Sequence, residues 1–144
     1  MAADAYDLSR FERAHDDDYA RALAEIRAGY KRSHWMWYIF PQVAGLGRSP
    51  MARHYEISGL AEARDFLDHP VLGAHLREIS SALLALETSD ASEVFGWPDD
   101  MKLRSSMTLF DVAHGHPSVF SAVLDKYFGG IPDELTLRIL GLAE

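Results

Sequence analysis

The chain of 144 residues contains no cysteine, which excludes disulfides, thiol nucleophiles and thiolate zinc sites. No stretch approaches the ~20 consecutive apolar residues that a helical membrane span requires. The amino-terminal segment MAADAYDLSRFERAHDDD carries acid where a secretory signal would carry an apolar run. Basic residues are scarce: 14 Lys and Arg stand against 22 Asp and Glu, a formal charge of −8. That balance argues against a non-specific grip on nucleic-acid phosphates. Strand-like alternation, repeats, linkers and low-complexity tracts are nearly or wholly missing. The expectation is a soluble, cytoplasmic, single domain spanning 1–144, with no membrane partner. A chain of this length hides roughly 68–70% of its unfolded surface, enough for an ordinary core without staples.

What charge there is lies unevenly. Between Glu25 and Glu56 there is no carboxylate, yet Arg27, Lys31, Arg32, His34, Arg48, Arg53 and His54 all fall there. Such an island attracts a small anionic ligand. Its other reading is a solvated face that balances acids elsewhere in the fold.

Apolar spacing predicts helix almost throughout. Tyr19, Leu23, Ile26 and Tyr30 form one stripe on a helix beginning near Asp16–Asp18. Leu60, Ala63, Phe66 and Leu67 form a second, which His69-Pro70 interrupts, and Leu72 to Leu86 a longer third that is suited to the centre of the core. Asp90 caps a brief turn in capping-box spacing with Glu93. Pro98 opens a segment presenting Leu103, Met107 and Phe110; the next runs from His116-Pro117 to Gly129-Gly130, and Asp133 caps the last, through Leu135, Ile139 and Leu140. The fold class is mainly α, a compact irregular domain of six to seven helices. YIFPQ (38–42) and HYEI (54–57) leave room for a minor β-ribbon or irregular backbone.

Three segments carry candidate chemistry. The first puts Tyr30, Trp35, Trp37, Tyr38 and Phe40 beside His34, ending in Pro41-Gln42. Large rings either wall a pocket or pack the core, and Pro41 sets Gln42 on extended backbone. The second is Gly45-Leu46-Gly47-Arg48-Ser49-Pro50, where two glycines let backbone approach a ligand and Arg48 offers a bidentate fork. It also reads as a simple loop entering a helix, with Ser49 as cap and Pro50 as first residue. The third follows Trp97-Pro98. On a helix, Asp99, Lys102, Ser105 and Ser106 share a polar strip, while Asp100 sits across the apolar face. Hydroxyls there bind a ligand or bond back to the helix backbone. His114-Gly115-His116 with Asp111 nearby has no metal-binding spacing, so no metal is expected.

The strings SHWMWYIFPQ, GLGRSP, HYEI, EARDFLDHPVLGAHL and DDMKLRSSMTLF together resemble the bacterial domain-of-unknown-function family numbered 1810, over nearly the whole chain. Some of its members are labelled calpastatin, a protease inhibitor that would be disordered, whereas this composition is globular. A second likeness is to the NADAR-type N-glycosidases, small helical enzymes of ADP-ribose and riboflavin-precursor chemistry. In that likeness Ser33-His34-Trp35 stands at an acid-His-aromatic start, and Trp97, Asp100 and Lys102 at a later motif. Ser33 replaces the carboxylate expected there, so an acid must come from elsewhere or the protein only binds.

The resemblance implies an enzyme cleaving or transferring at the N-glycosidic bond of a nucleotide-like molecule, without a cofactor. Asp100 and Lys102 are then the catalytic candidates. Trp35 or Trp37 stacks on the base, Arg48 and Lys102 hold phosphate, and Gln42 with Ser105 or Ser106 bonds ribose; His34, Gly45, Gly47 and Ser49 complete the ligand-binding set. The alternatives are a non-catalytic module binding the same ligand and an interaction protein docking through its tryptophans.

Overall fold

The computed structural model describes residues 6–142. Among them are nine helices: α1 (Ser9–Arg27), α2 (Met36–Ile39), α3 (Pro50–Tyr55), α4 (Leu60–Asp68), α5 (Leu72–Ala85), α6 (Ala91–Phe95), α7 (Asp99–His114), α8 (Val119–Phe128) and α9 (Glu134–Ile139). The additional elements are short: α2 is one turn inside the aromatic segment, and α3 follows Ser49, whose hydroxyl accepts from the Ala52 amide. The anticipated ribbon reduces to a single parallel bridge between Val43 and Ile57. Two hydrogen bonds define it, Ala44 N to Ile57 O at 2.7 Å and Ile57 N to Gln42 O at 2.9 Å. Residues 1–5 lie outside the described residues, and with them part of the amino-terminal reading.

α1 begins at Ser9, well before the acidic run. Its buried stripe is Phe11, His15, Tyr19, Ala22 and Ile26, and Asp16–Asp18 lie in mid-helix. α5 carries the anticipated Leu72, Leu76, Ile79 and Leu83 inward and packs on α1, α4 and α8. α7 touches α4, α6, α8 and α9 and is buried at every position from Ser105 to Asp111, so it is the central helix and lacks a solvent face there. α9 departs from expectation. Leu135 and Ile139 are 51% and 41% exposed, and only Thr136 is buried on that helix.

Phenylalanines link the layers. Phe11 meets Phe66 edge-on at 5.1 Å, Phe66 meets Phe110 at 5.3 Å, and Phe110 meets Phe120 at 5.9 Å, joining α1, α4, α7 and α8. No helix among the described residues is long and apolar enough to cross a membrane.

Candidate functional site

The two tryptophans of the aromatic segment have opposite fates. Trp35 is fully buried, packs against Phe40 and Phe95, and donates its indole N–H to Glu25 at 2.9 Å. It has no free face for a ligand. Glu25 also accepts from the Arg32 and Ser33 amides and, at 2.6 Å, from the Ser33 hydroxyl. A carboxylate from α1 thus stands against Ser33. Burial pushes the Glu25 carboxyl upward, but the bonds from Ser33, Arg32 and Trp35 outweigh it and hold its pKa at about 2. With four donors on it, this group clasps the 30–35 turn to α1 as a permanent anion.

Trp37 lies two residues on, half-buried. Lys102 of α7 holds its Nζ 5.6 Å from the Trp37 ring centroid. Lys102 also approaches Asp99 at 3.5 Å, and Lys31 binds the other oxygen of Asp99 at 2.9 Å. One carboxylate therefore serves two ammonium groups, leaving a surplus positive charge beside an indole. Asp99, rather than Asp100, engages the lysines. The half-buried Asp100 accepts from the Met101 amide at 2.8 Å in the first turn of α7.

Trp37 also joins Gln42, Gly47, Ala52 and Tyr55 around a crevice of about 10 Å³, room for roughly one water. The loop's glycines have local reasons. Gly45 has φ +102°, and a Cβ on Gly47 would meet the Ala52 Cβ at 2.4 Å. Arg48 and Ser49 are exposed, as is His34, whose carbonyl accepts from the Tyr38 hydroxyl. Trp37 thus neighbours Lys102 and also lines the crevice with Gln42 and Gly47.

The polar strip of α7 divides. Ser105 is buried and bonds back to the Met101 carbonyl at 3.2 Å; Ser106 is fully buried, and its hydroxyl has no partner among the described residues. Helical spacing put these serines beside Lys102, but the strip passes under neighbouring helices after one turn, so neither hydroxyl reaches a surface ligand. Thr108 bonds back to Arg104 O and accepts from the Asp133 amide, tying α7 to the start of α9.

A second polar cluster went unread in the sequence. His15, 3% exposed, places Nε2 2.9 Å from the Tyr38 carbonyl and Nδ1 2.9 Å from His75 Nδ1. Burial lowers the His15 pKa to about 4, so its ring is neutral; a carbonyl only accepts, hence Nε2 carries the proton and Nδ1 accepts from His75. Tyr19 stacks on His75 at 3.6 Å and donates to Glu78 at 2.6 Å. Burial raises the Tyr19 phenol and lowers the His75 imidazole. The signal was present: His15 lies four residues after Phe11 and four before Tyr19, on the apolar stripe. At the other end of the core, the buried Asp111 accepts from exposed His116 at 3.0 Å and from the Ser118 cap at 2.8 Å. Among the described residues no group of three potential ligands is arranged to hold a metal ion.

The comparisons with known proteins agree on kinship and are silent on chemistry. No curated protein matches the chain. The crystal structure of the conserved hypothetical protein Rv1873 from Mycobacterium tuberculosis is similar, with 46% identity and a TM-score of 0.93, over 96% of this chain and 99% of that one. The family model described as "Protein of unknown function (DUF1810)" matches residues 5–140, a span that takes in the aromatic segment, the glycine loop and the whole of α7. The chain therefore belongs to the DUF1810 family.

Proposed function

We propose that this protein is a binding module for a small anionic molecule with a planar ring, of nucleotide or ADP-ribose type, received on the surface shared by Trp37, Lys102 and Gln42. The observation that carries the reading is the ammonium of Lys102 over the Trp37 ring, with Asp99 divided between that ammonium and Lys31. A ring stacks on the open part of the half-buried Trp37 indole, phosphate takes the surplus charge with help from Arg48, and the Gln42 amide orients a hydroxyl.

Binding is favoured over N-glycosidic cleavage because the crevice is too small to enclose a reacting bond. Water exclusion strengthens electrostatic stabilisation of an oxocarbenium-like state, and this surface supports none. Asp100 and Lys102 would be the acid and cation of a catalytic version.

Calorimetry with AMP and ADP-ribose, followed by chromatography of the mixtures, tests the reading. The expected result is saturable binding, recovery of intact ligand, and at least tenfold weaker binding in Trp37→Ala and Lys102→Met. Absence of binding, or binding indifferent to both substitutions, overturns it. Released base that disappears in Asp100→Asn would make the site catalytic instead.

A further inference from the structure

We infer that the hollow between α4, α5 and the end of α7 is a separate binding site for a small oxyanion, a phosphate group. It is an open surface hollow of about 220 Å³ lined by Arg64, Leu67, Asp68, Arg77, Ala113 and His114, of which the four polar side chains are exposed. The site shares no residue with the Trp37 surface and stands or falls independently of that reading.

Two guanidinium groups point the same way chemically. Arg77 Nη1 donates to the Leu67 carbonyl at 3.1 Å and Arg64 Nε to the Ala113 carbonyl at 3.4 Å. Those carbonyls hold the planar groups in place without neutralising them, and each guanidinium has five N–H donors. Neither arginine forms an ion pair among the described residues. The two guanidiniums outnumber the one carboxylate of the lining, Asp68, so the hollow is net positive in a protein of net charge −8 and favours an anion.

The backbone is shaped to permit this. Gly73 is the second residue of α5, in its first turn. A Cβ there would stand 2.0 Å from the Leu67 carbonyl oxygen and 2.8 Å from Arg77 Nη1. Its absence lets α5 close on the end of α4 and lets the Arg77 guanidinium lie across the junction. His114, the last residue of α7, adds an imidazole to the lining. Asp68 also lines the hollow, beyond ion-pair distance of both guanidiniums, and opposes an anion. The volume is below the ~300–1,000 Å³ of pockets for drug-sized ligands, so the site takes one phosphate group and not a whole nucleotide.

The test is calorimetry at constant ionic strength with inorganic phosphate and, separately, glycerol 3-phosphate. Saturable binding to the full chain is expected, weakened at least tenfold in Arg64→Gln and in Arg77→Gln, and tightened several-fold in Asp68→Asn. Tighter binding of the ester identifies the end of a larger molecule as the natural occupant; equal or weaker binding identifies the free ion. Because Arg77 also ties α5 to α4, melting temperatures accompany each titration. If Arg77→Gln is unfolded, Arg64→Gln and Asp68→Asn decide with opposite expected signs. Heats that do not saturate in the wild type, or that none of these substitutions alters, overturn the inference.

Discussion

Trp35 and Trp37 are separated by one residue and behave as members of different regions. Around Trp35 every polar group has a partner: its indole N–H, the Ser33 hydroxyl and two amides all end on Glu25. Around Trp37 the count does not close. Two ammoniums share one carboxylate, and Arg48 stands exposed next to a loop whose glycines are already explained by packing and backbone angle. A region with all groups satisfied is architecture, whereas surplus donors and a half-open ring mark where another molecule can add contacts.

The sharpest way to break this comparison is to truncate each indole. Trp35→Ala removes a fully buried ring and strips Glu25 of a donor, so it is expected to cost about 4 kcal/mol in urea unfolding. Trp37→Ala is expected to cost under about half of that; equal losses would mean that both rings are simply core. Next in size is the pH dependence of His15. Its folded pKa of about 4 lies below the ordinary 6.5, so the unfolded chain takes up the proton first. The associated stability is complete above pH 6.5 and declines as the pH falls towards 4, by about 3 kcal/mol at most. Urea midpoints across that window measure it, and His15→Gln should flatten the slope.

Glu25→Gln comes third, with an expected loss of about 2 kcal/mol at neutral pH, since hydrogen bonds to a charged group are removed. Its folded pKa of about 2 lies below the ordinary 4.5, so the wild-type advantage is present above pH 4.5 and fades as the pH falls towards 2. An advantage that persists undiminished at pH 2 would contradict the clasp. The smallest effect is a gain. Ser106 buries an unpartnered hydroxyl, and Ser106→Ala is expected to stabilise by about 1 kcal/mol, visible as a higher melting temperature. Destabilisation would show that the hydroxyl has a partner in solution.

How much of this was legible depended on whether one face of each helix meets water. α5 and α8 are amphipathic, and the inward residues of α5 and most of those of α8 follow from spacing alone. α7 is covered on several sides, so its serines and Thr108 lie inside despite their polarity, and periodicity misplaced them beside Lys102. α9 errs the other way, with apolar Leu135 and Ile139 on the surface. In α1, a histidine and scattered acids interrupt a stripe that begins at Phe11, so apolar spacing alone places the helix start later than Ser9. The meeting of Trp37 with Lys102 joins residues 65 positions apart through α2 and α7, and no local pattern encodes such a pairing. The family resemblance covers nearly the whole chain but carries no geometry, so it is equally unable to separate Trp35 from Trp37.

The most direct measurement is the set of three tryptophan indole N–H resonances, from Trp35, Trp37 and Trp97, followed by two-dimensional NMR during titration with ADP-ribose. The account requires the Trp37 signal to move saturably, the Trp35 signal held by Glu25 to stay in place, and the Trp37 movement to vanish in Lys102→Met. A titration in which Trp37 does not respond, or in which its response survives loss of the Lys102 ammonium, contradicts the claim that this surface is where the ligand binds.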